Sequence, residues 1–133
     1  MTAQDHFDVV IIGAGLSGVG AACHLTRRLP DLDYLVLESR SRLGGTWDLF
    51  RYPGIRSDSD MFTLGYAFEP WTASAAIADG DTILTYIQDT AAKYGVLDRI
   101  RYDTRVVSAD WSSEDVRWTV TTHDPVTGER GAV

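Results

Sequence analysis

The sequence predicts an α/β fold in which a strand, a helix and a second strand begin a parallel β-sheet and a β meander follows. Three observations support this class. The segment from Phe7 to Ile12 is a nearly unbroken apolar run rich in β-branched residues, which is typical of a strand covered on both faces. Apolar residues from Leu16 to Cys23 recur at helical spacing, and a second apolar run covers Tyr34 to Glu38. After residue 100, apolar and polar residues alternate, as in antiparallel strands.

Composition and charge restrict the class of protein. The chain has 133 residues, of which 44% are hydrophobic, so it can form one domain with a core. Its 12 Lys and Arg against 19 Asp and Glu give a net charge of −7, which argues against a nucleic-acid partner.

The single cysteine and the amino terminus indicate the compartment. Cys23 cannot form an internal disulfide, and neither it nor the three histidines show metal-ligand spacing, so no metal site is predicted. The amino terminus carries acidic residues, unlike a signal peptide, and its apolar run is too short to form a membrane segment. The expected location is therefore cytoplasmic.

Glycines occupy the join between the first strand and the first helix. They form a G-x-G-x-x-G pattern, whose first glycine permits a tight turn, whose second lets a pyrophosphate approach and whose third lets helix and strand pack closely. The unpaired amides at the helix amino terminus would face the phosphates. Glycines also mark plain turns, so the pattern alone is weak. In its strand–helix context it predicts a dinucleotide site formed by Gly13, Ala14, Gly15, Leu16, Ser17 and Gly18.

The second strand ends in an acid. Glu38 lies twenty residues after Gly18, where a carboxylate binds the ribose hydroxyls in dinucleotide-binding units. Because this charge would repel a 2′-phosphate, NADP is the least expected occupant of this site. FAD and NAD remain.

A glycine pair follows the acid instead of a crossover helix. An NAD-binding unit would normally continue from this acid into another helix, whereas Gly44 and Gly45 indicate a loop. A second approach of backbone to ligand suits a longer cofactor such as FAD. An ordinary flexible loop is the alternative interpretation, and a small NAD-binding module is a weaker one.

Three segments now carry a resemblance to a known family: VVIIGAGLSGVGAACHL, LESRSRLGGTWDLFRYPGIRSDSDM and LGYAFEPW. They resemble the amino-terminal FAD-binding region of the class B flavoprotein monooxygenases, above all the Baeyer–Villiger type. The similarity extends from Phe7 to about Val120, and GGTW followed by RYPG and R-x-D is its most specific part. It implies an FAD-binding portion of an NADPH-dependent enzyme that uses O₂ to oxygenate a small-molecule ketone or sulfur substrate.

The resemblance also implies roles for individual residues. It assigns the pyrophosphate of FAD to the three glycines and the adenosine ribose to Glu38. It assigns the middle of the cofactor to Gly45, Thr46 and Trp47. It places Asp58 near the flavin ring as the catalytic carboxylate, where the family's aspartate interacts with an active-site arginine. Separately, the strand from Ile100 is expected to join the parallel sheet, where the backbone of Val106 could meet the adenine.

The residues around Asp58 also permit a plainer interpretation. Tyr52-Pro53-Gly54 is a turn sequence, after which Ser57, Asp58 or Ser59 could simply cap a helix that begins near Asp60. Asp60 itself is given no role. Core packing is expected for six aromatic residues of this region, Phe50, Tyr52, Phe62, Tyr66, Phe68 and Trp71.

The rest of the chain predicts scaffold elements. Asp81 is the expected cap of a helix that ends at Gly95. A strand from Ile100 changes phase at Val107, which indicates a bulge or a change of sheet, and a further strand from Val116 to Thr122 continues the meander. Another turn then leads into one more strand.

The sequence contains one G-x-G-x-x-G pattern and therefore no second unit for NADPH, which the complete family enzyme would need. The expected fold class is a partial Rossmann-like FAD-binding domain with a β meander, apparently truncated. Residues 1–133 form a single, incomplete domain with a missing carboxy-terminal region in this interpretation. Such a chain is either an oxygenase portion that is inactive alone or a non-catalytic, vestigial FAD-binding module.

Overall fold

The computed structural model describes residues 5–133. Met1–Gln4, which contribute to the predicted domain 1–133 and to the expectation of no signal peptide, lie outside the described residues. The elements in chain order are β1 Val9–Ile12, α1 Leu16–Arg28, β2 Tyr34–Leu37, α2 Thr46–Leu49, α3 Met61–Leu64, α4 Gly80–Lys93, β3 Ile100–Arg101, β4 Arg105–Ser112, β5 Arg117–His123 and β6 Arg130–Ala132. Within residues 5–133, no helix has the length and apolar character needed to cross a membrane.

A three-stranded parallel sheet has the order β1-β2-β3. Val9 to Ile12 pair in register with Tyr34 to Leu37, and Val36 and Leu37 pair with β3. All four residues of the central strand β2 are buried, which explains its continuous apolar run. Helix α1 buries Val19, Ala22 and Cys23. The predicted strand–helix–strand start is therefore confirmed.

A separate antiparallel sheet has the order β4-β5-β6 and confirms the meander. Its register shifts between Val106 and Ser108, so the predicted bulge at Val107 is present. The single strand expected from Ile100 was wrong, because Asp103 has a φ of 50° and separates β3 from β4. Val116 also lies outside the strand to which it was assigned, since its φ is 53°. Turns at these two residues reverse or redirect the chain, which an apolar alternation does not reveal.

Two helix caps differ from the sequence expectation. The side chain of Asp79, not Asp81, caps α4 and accepts a hydrogen bond from the Thr82 amide at 2.8 Å. Asp60 caps α3 through the Thr63 amide at 2.9 Å, although no role was expected for it. In both cases the cap lies three residues before the amide that it binds, the usual N-cap spacing.

The main core lies between the parallel sheet, α1 and α4. Ile83, Ile87 and Ala91 of α4 are fully buried against this core. The expected packing holds for Tyr66, Phe68 and Trp71. It was wrong for Phe50, Tyr52 and Phe62, the last of which is 62% exposed, because short helices and irregular loops carry them without a second layer above them among residues 5–133.

Candidate functional site

The fold requires glycine at two of the three glycine positions of the first turn, for different structural reasons. Gly13 has a φ of 99°, a conformation that side-chain-bearing residues rarely adopt. A Cβ atom at Gly18 would overlap the carbonyl oxygen of Gly13, so glycine here lets the helix lie against the strand. A Cβ at Gly15 would only contact Gly45 Cα at 3.5 Å. Gly15 is therefore the position at which the fold itself does not require a glycine.

The amino terminus of α1 presents free backbone amides. Gly15 is its N-cap and supplies no side-chain hydrogen bond, and the first helical bond runs from the Val19 amide to the Gly15 carbonyl at 3.0 Å. The amides of Leu16, Ser17 and Gly18 come before that bond and have no acceptor within the helix. A thirteen-residue helix adds its dipole to these donors, so this end attracts an anion.

Glu38 is joined directly to the glycine turn. The residue is 7% exposed, and its Oε2 accepts a hydrogen bond from the Ala14 amide at 2.8 Å. Its Oε1 accepts from the Arg40 amide at 2.9 Å and from the Ser39 hydroxyl at 3.3 Å. Burial and the Glu38 carboxylate raise the pKa of the nearby Tyr102. The carboxylate thus lies beside the predicted pyrophosphate site.

The glycine pair packs on the first glycine turn. The Gly44 amide donates to the Ala14 carbonyl at 2.9 Å. A Cβ at Gly45 would lie 2.9 Å from Gly15 Cα, and φ is 123° at Gly44 and 55° at Gly45. The sequence led us to expect that Gly44 and Gly45 approach a ligand, and it did not indicate that they also pack on the first glycine turn. No local pattern reveals a contact between residues thirty positions apart.

The two loops and α1 enclose a cleft of about 380 Å³. Ala14 and Glu38 do not line the cleft, but Ala14 is part of the glycine turn and its amide donates to the Glu38 carboxylate. Eight of the predicted contact residues line the cleft together with Ile12 and Gly44: Gly13, Gly15, Leu16, Ser17, Gly18, Gly45, Thr46 and Trp47. The structure therefore brings most of the predicted positions to one concave surface.

Asp58 and Val106 do not line this cleft. Asp58 is exposed and follows the buried Ser57, whose hydroxyl accepts from the Ala78 amide at 3.2 Å. Val106 packs against the smaller apolar cluster that contains Leu37 and Val120. Their roles beside the flavin ring and the adenine stay predictions.

One buried carboxylate in this region was not anticipated. Asp48 lies directly after Trp47, is 2% exposed and contacts the side chains of Arg40, Arg42 and Arg51. A sequence signal existed, since a charged residue in a segment with three nearby arginines often pairs, but nothing in the sequence indicated burial.

A second cleft, of about 550 Å³, lies between β1 and the β4–β5 hairpin. It is larger and mainly apolar, and Phe7, Val10, Trp118 and Val120 are among its lining residues. It lacks the glycine turn and the exposed helix amides. The smaller cleft is therefore the candidate nucleotide site.

A parallel sheet, a glycine turn before a helix and an acid after the second strand together define a dinucleotide-binding domain of the Rossmann type. The comparison with protein families agrees, because residues 11–74 match the family described as an NAD(P)-binding Rossmann-like domain.

Curated proteins similar to this chain include FAD-containing monooxygenases. The chain is 59% identical over 126 residues to the Putative FAD-containing monooxygenase MymA of Mycobacterium tuberculosis, a match that covers 95% of this chain and 26% of the relative. It is 61% identical over 116 residues to FAD-containing monooxygenase EthA of the same species, covering 87% and 24%.

Solved structures give the same result. A steroid monooxygenase bound to NADP has a TM-score of 0.80 at 35% identity, covering 95% of this chain and 24% of that one. A cyclohexanone monooxygenase has a TM-score of 0.81 at 28% identity, covering 96% and 25%. The chain resembles part of the FAD-containing monooxygenases and of the Baeyer–Villiger-type monooxygenase structures, and it spans about a quarter of the length of the relatives it matches.

Proposed function

We propose that this chain binds FAD and that the pyrophosphate lies in the 380 Å³ cleft over the glycine turn. The observation that carries the proposal is the convergence of three features at one glycine turn. These are the free amides at the start of α1, the open position at Gly15 and the buried Glu38 carboxylate that bonds the Ala14 amide. An anion would meet the donors of the helix, and the ribose would meet the acid.

FAD is preferred to NADP at this site because of Glu38. A 2′-phosphate would lie against a carboxylate that is already buried, and like charges in such surroundings repel strongly. The family description names NAD(P), but FAD and NAD share the ADP half that this cleft would hold, so the description does not separate them. The relatives named FAD-containing monooxygenases favour FAD.

We also propose the activity of the enzyme to which this chain corresponds. It is an NADPH-dependent flavin monooxygenase that inserts one oxygen atom from O₂ into a ketone or a sulfur compound. The names of the relatives and of the steroid and cyclohexanone monooxygenase structures support this proposal. When bound, FAD would supply the redox chemistry. The residues of this chain would bind its adenosine diphosphate half, and Gly45, Thr46 and Trp47 would orient its middle.

The 133-residue chain is proposed to be an incomplete FAD-binding domain that does not oxygenate substrate alone. Among residues 5–133, β1 pairs on one side only, with β2, and Ile12 on this strand is exposed. The apolar cleft between β1 and the hairpin is lined by Val10 and Ile12, on the face of the strand opposite to the main core. The sequence offers one dinucleotide pattern, whereas an NADPH-dependent flavin enzyme must also hold its reductant.

The test is a titration of the purified chain with FAD, NAD and NADP, followed by calorimetry and by flavin fluorescence. The expected order of affinity is FAD, then NAD, then NADP. Preference for NADP over FAD would refute the assignment of the site. Oxidation of NADPH is then measured with the FAD-loaded chain and a ketone or a sulfide. The rate should match that of free FAD, and stoichiometric oxygenated product would show that the chain is active alone.

A further inference from the structure

Contacts around the glycine turn form a closed circuit. The Ala14 amide donates to Glu38 Oε2 at 2.8 Å, and the Arg40 amide donates to Glu38 Oε1 at 2.9 Å. The Arg40 Nη2 atom lies 2.8 Å from Asp48 Oδ2, and the Asp48 amide donates to the Gly45 carbonyl at 3.1 Å. The neighbouring Gly44 amide returns to the Ala14 carbonyl at 2.9 Å. Asp48 closes the circuit between the acid and the glycine pair.

Asp48 is the centre of a cluster of cations. Its Oδ1 accepts a hydrogen bond from Arg51 Nη2 at 2.8 Å, and its backbone carbonyl accepts from Arg51 Nε at 3.1 Å. Its Oδ2 lies 2.8 Å from Arg40 and 3.4 Å from Arg42 Nε. Oδ2 makes no hydrogen bond within residues 5–133, so its interaction with the two arginines is an ion pair. One buried carboxylate thus connects residues on both sides of the loop that lines the cleft.

Apolar packing also contributes to holding this loop, because Leu43 is buried in the main core and Trp47 packs against that core. Helix α2 has four residues and is too short to be stable by itself. Leu49 and Phe50, which follow Asp48, are exposed. Two glycines precede the helix and make the backbone more flexible. Since the local backbone is weakly held, the position of the loop depends on tertiary contacts: the packing of Leu43 and Trp47, the hydrogen bond from Gly44 to Ala14, and the polar contacts of Asp48.

We infer that Asp48 is a positioning residue that holds Gly45, Thr46 and Trp47 against the glycine turn. The expected consequence for FAD affinity rests on the proposed function, whereas the effect on the loop does not. A different role for the cluster would be attraction, since three arginines and one aspartate leave a charge of +2 near the cleft. The two roles give opposite results when the negative charge is removed.

The experiment compares Asp48→Asn with the matched control Asp81→Asn. Asp81 also faces Arg51, at 3.8 Å, but its side chain is 90% exposed. If Asp48 positions the loop, Asp48→Asn weakens FAD binding by roughly tenfold to a hundredfold, the loss typical when residues that orient metal ligands are replaced. Asp81→Asn leaves the affinity unchanged. FAD binding that is equal or tighter in Asp48→Asn overturns the inference and favours attraction by the arginines.

Hydrogen exchange of the ligand-free chain gives a second readout. The amides of Gly44, Trp47 and Asp48 bond to carbonyls of Ala14, Gly44 and Gly45 at 2.9, 3.2 and 3.1 Å. In Asp48→Asn they should exchange about tenfold faster while the buried amides of α4 keep their rates, because the opening is local. Unchanged exchange of these three amides overturns the inference. If the natural chain binds no FAD but Asp48→Asn still loosens the loop, the proposed function fails and the positioning role stands.

Arg51→Gln covers the case in which Asp48→Asn does not fold. Arg51 is half-exposed, and its replacement removes the contacts to Asp48 Oδ1 and to the Asp48 carbonyl without leaving a buried charge unpaired, since Arg40 remains. Faster exchange of the same three amides supports the inference. Exchange rates equal to those of the natural chain overturn it.

Discussion

Substituting alanine at Gly15 and at Gly18 separates binding from folding within one turn. At Gly15 the backbone has φ −82° and ψ −168°, which alanine adopts, and the new methyl group would contact Gly45 Cα at an ordinary 3.5 Å. At Gly18 the methyl group would overlap the carbonyl oxygen of Gly13 and lie 2.9 Å from its carbon. Gly15→Ala should therefore keep the stability of the natural chain, and Gly18→Ala should be less stable.

The expected magnitudes follow from these contacts. At Gly15, alanine is the poorer N-cap but restricts the unfolded chain, two effects of about 0.5–1 kcal/mol that oppose each other. At Gly18, overpacking against the backbone lowers the free energy of unfolding by about 3 kcal/mol, and the higher helix propensity of alanine restores about 1 kcal/mol. The net loss lowers the melting temperature by roughly 5–10 °C. The methyl group of Gly15→Ala fills the gap where a pyrophosphate would lie. A cost of about 1–3 kcal/mol there weakens binding about 5- to 150-fold.

The assay is thermal unfolding by circular dichroism, with FAD affinity measured on the same samples by calorimetry. Gly15→Ala should melt within a few degrees of the natural chain and bind FAD more weakly. A Gly15→Ala chain that binds FAD with full affinity would show that the pyrophosphate lies elsewhere. A Gly18→Ala chain of unchanged stability would refute the packing of α1 on the turn.

Three further predictions concern stability and association. Burial raises the pKa of Cys23 to about 11, so the thiol should resist iodoacetamide at pH 8 until the chain is unfolded. The stability that the protonated thiol contributes should be lost as the pH rises from about 9 towards 11. Rapid alkylation of the folded chain would contradict this prediction. The Thr82 amide lowers the pKa of Asp79, so Asp79→Ala should reduce the melting temperature by a few degrees at pH 7. The loss should become smaller as the pH falls below the usual pKa of the carboxyl and the side chain is protonated. An equal loss at pH 2.5 would argue against the cap. The open side of β1 and the exposed Trp118 should cause association at micromolar concentration, and Trp118→Lys should reduce it; sedimentation as a monomer in both forms would show that this face does not self-associate.

Local features of the fold could be predicted from the sequence because local interactions produce them. The apolar run of β1, the glycines of the turn and the helical spacing of α1 each depend on residues that lie close together in the chain. The bulge at Val107 was visible as a change of phase. The errors have physical reasons as well: Asp103 and Val116 adopt positive φ in turns, which residue type alone does not indicate for valine.

Long-range contacts explain what the sequence could not show. Gly45 packs on Gly15 and Gly44 bonds to Ala14, and these pairs are about thirty residues apart. The burial of Asp48 depends on three arginines that approach it from both sides of a loop. The cleft could be anticipated as a glycine turn with a nearby acid, but not as the gap between two glycine loops.

Glu38 illustrates how binding and folding share one side chain. An ionised carboxylate offers about four acceptor positions, and three are already used by the Ala14 amide, the Arg40 amide and the Ser39 hydroxyl. Two ribose hydroxyls would need one more position than is free. The Ser39 contact at 3.3 Å is the longest of the three, so it is the one that a ribose would displace, while the Ala14 and Arg40 bonds keep the glycine turn in place. A substitution at Glu38 therefore changes the turn and the ribose contact together, whereas Gly15→Ala leaves the circuit of polar contacts intact and tests the cleft alone.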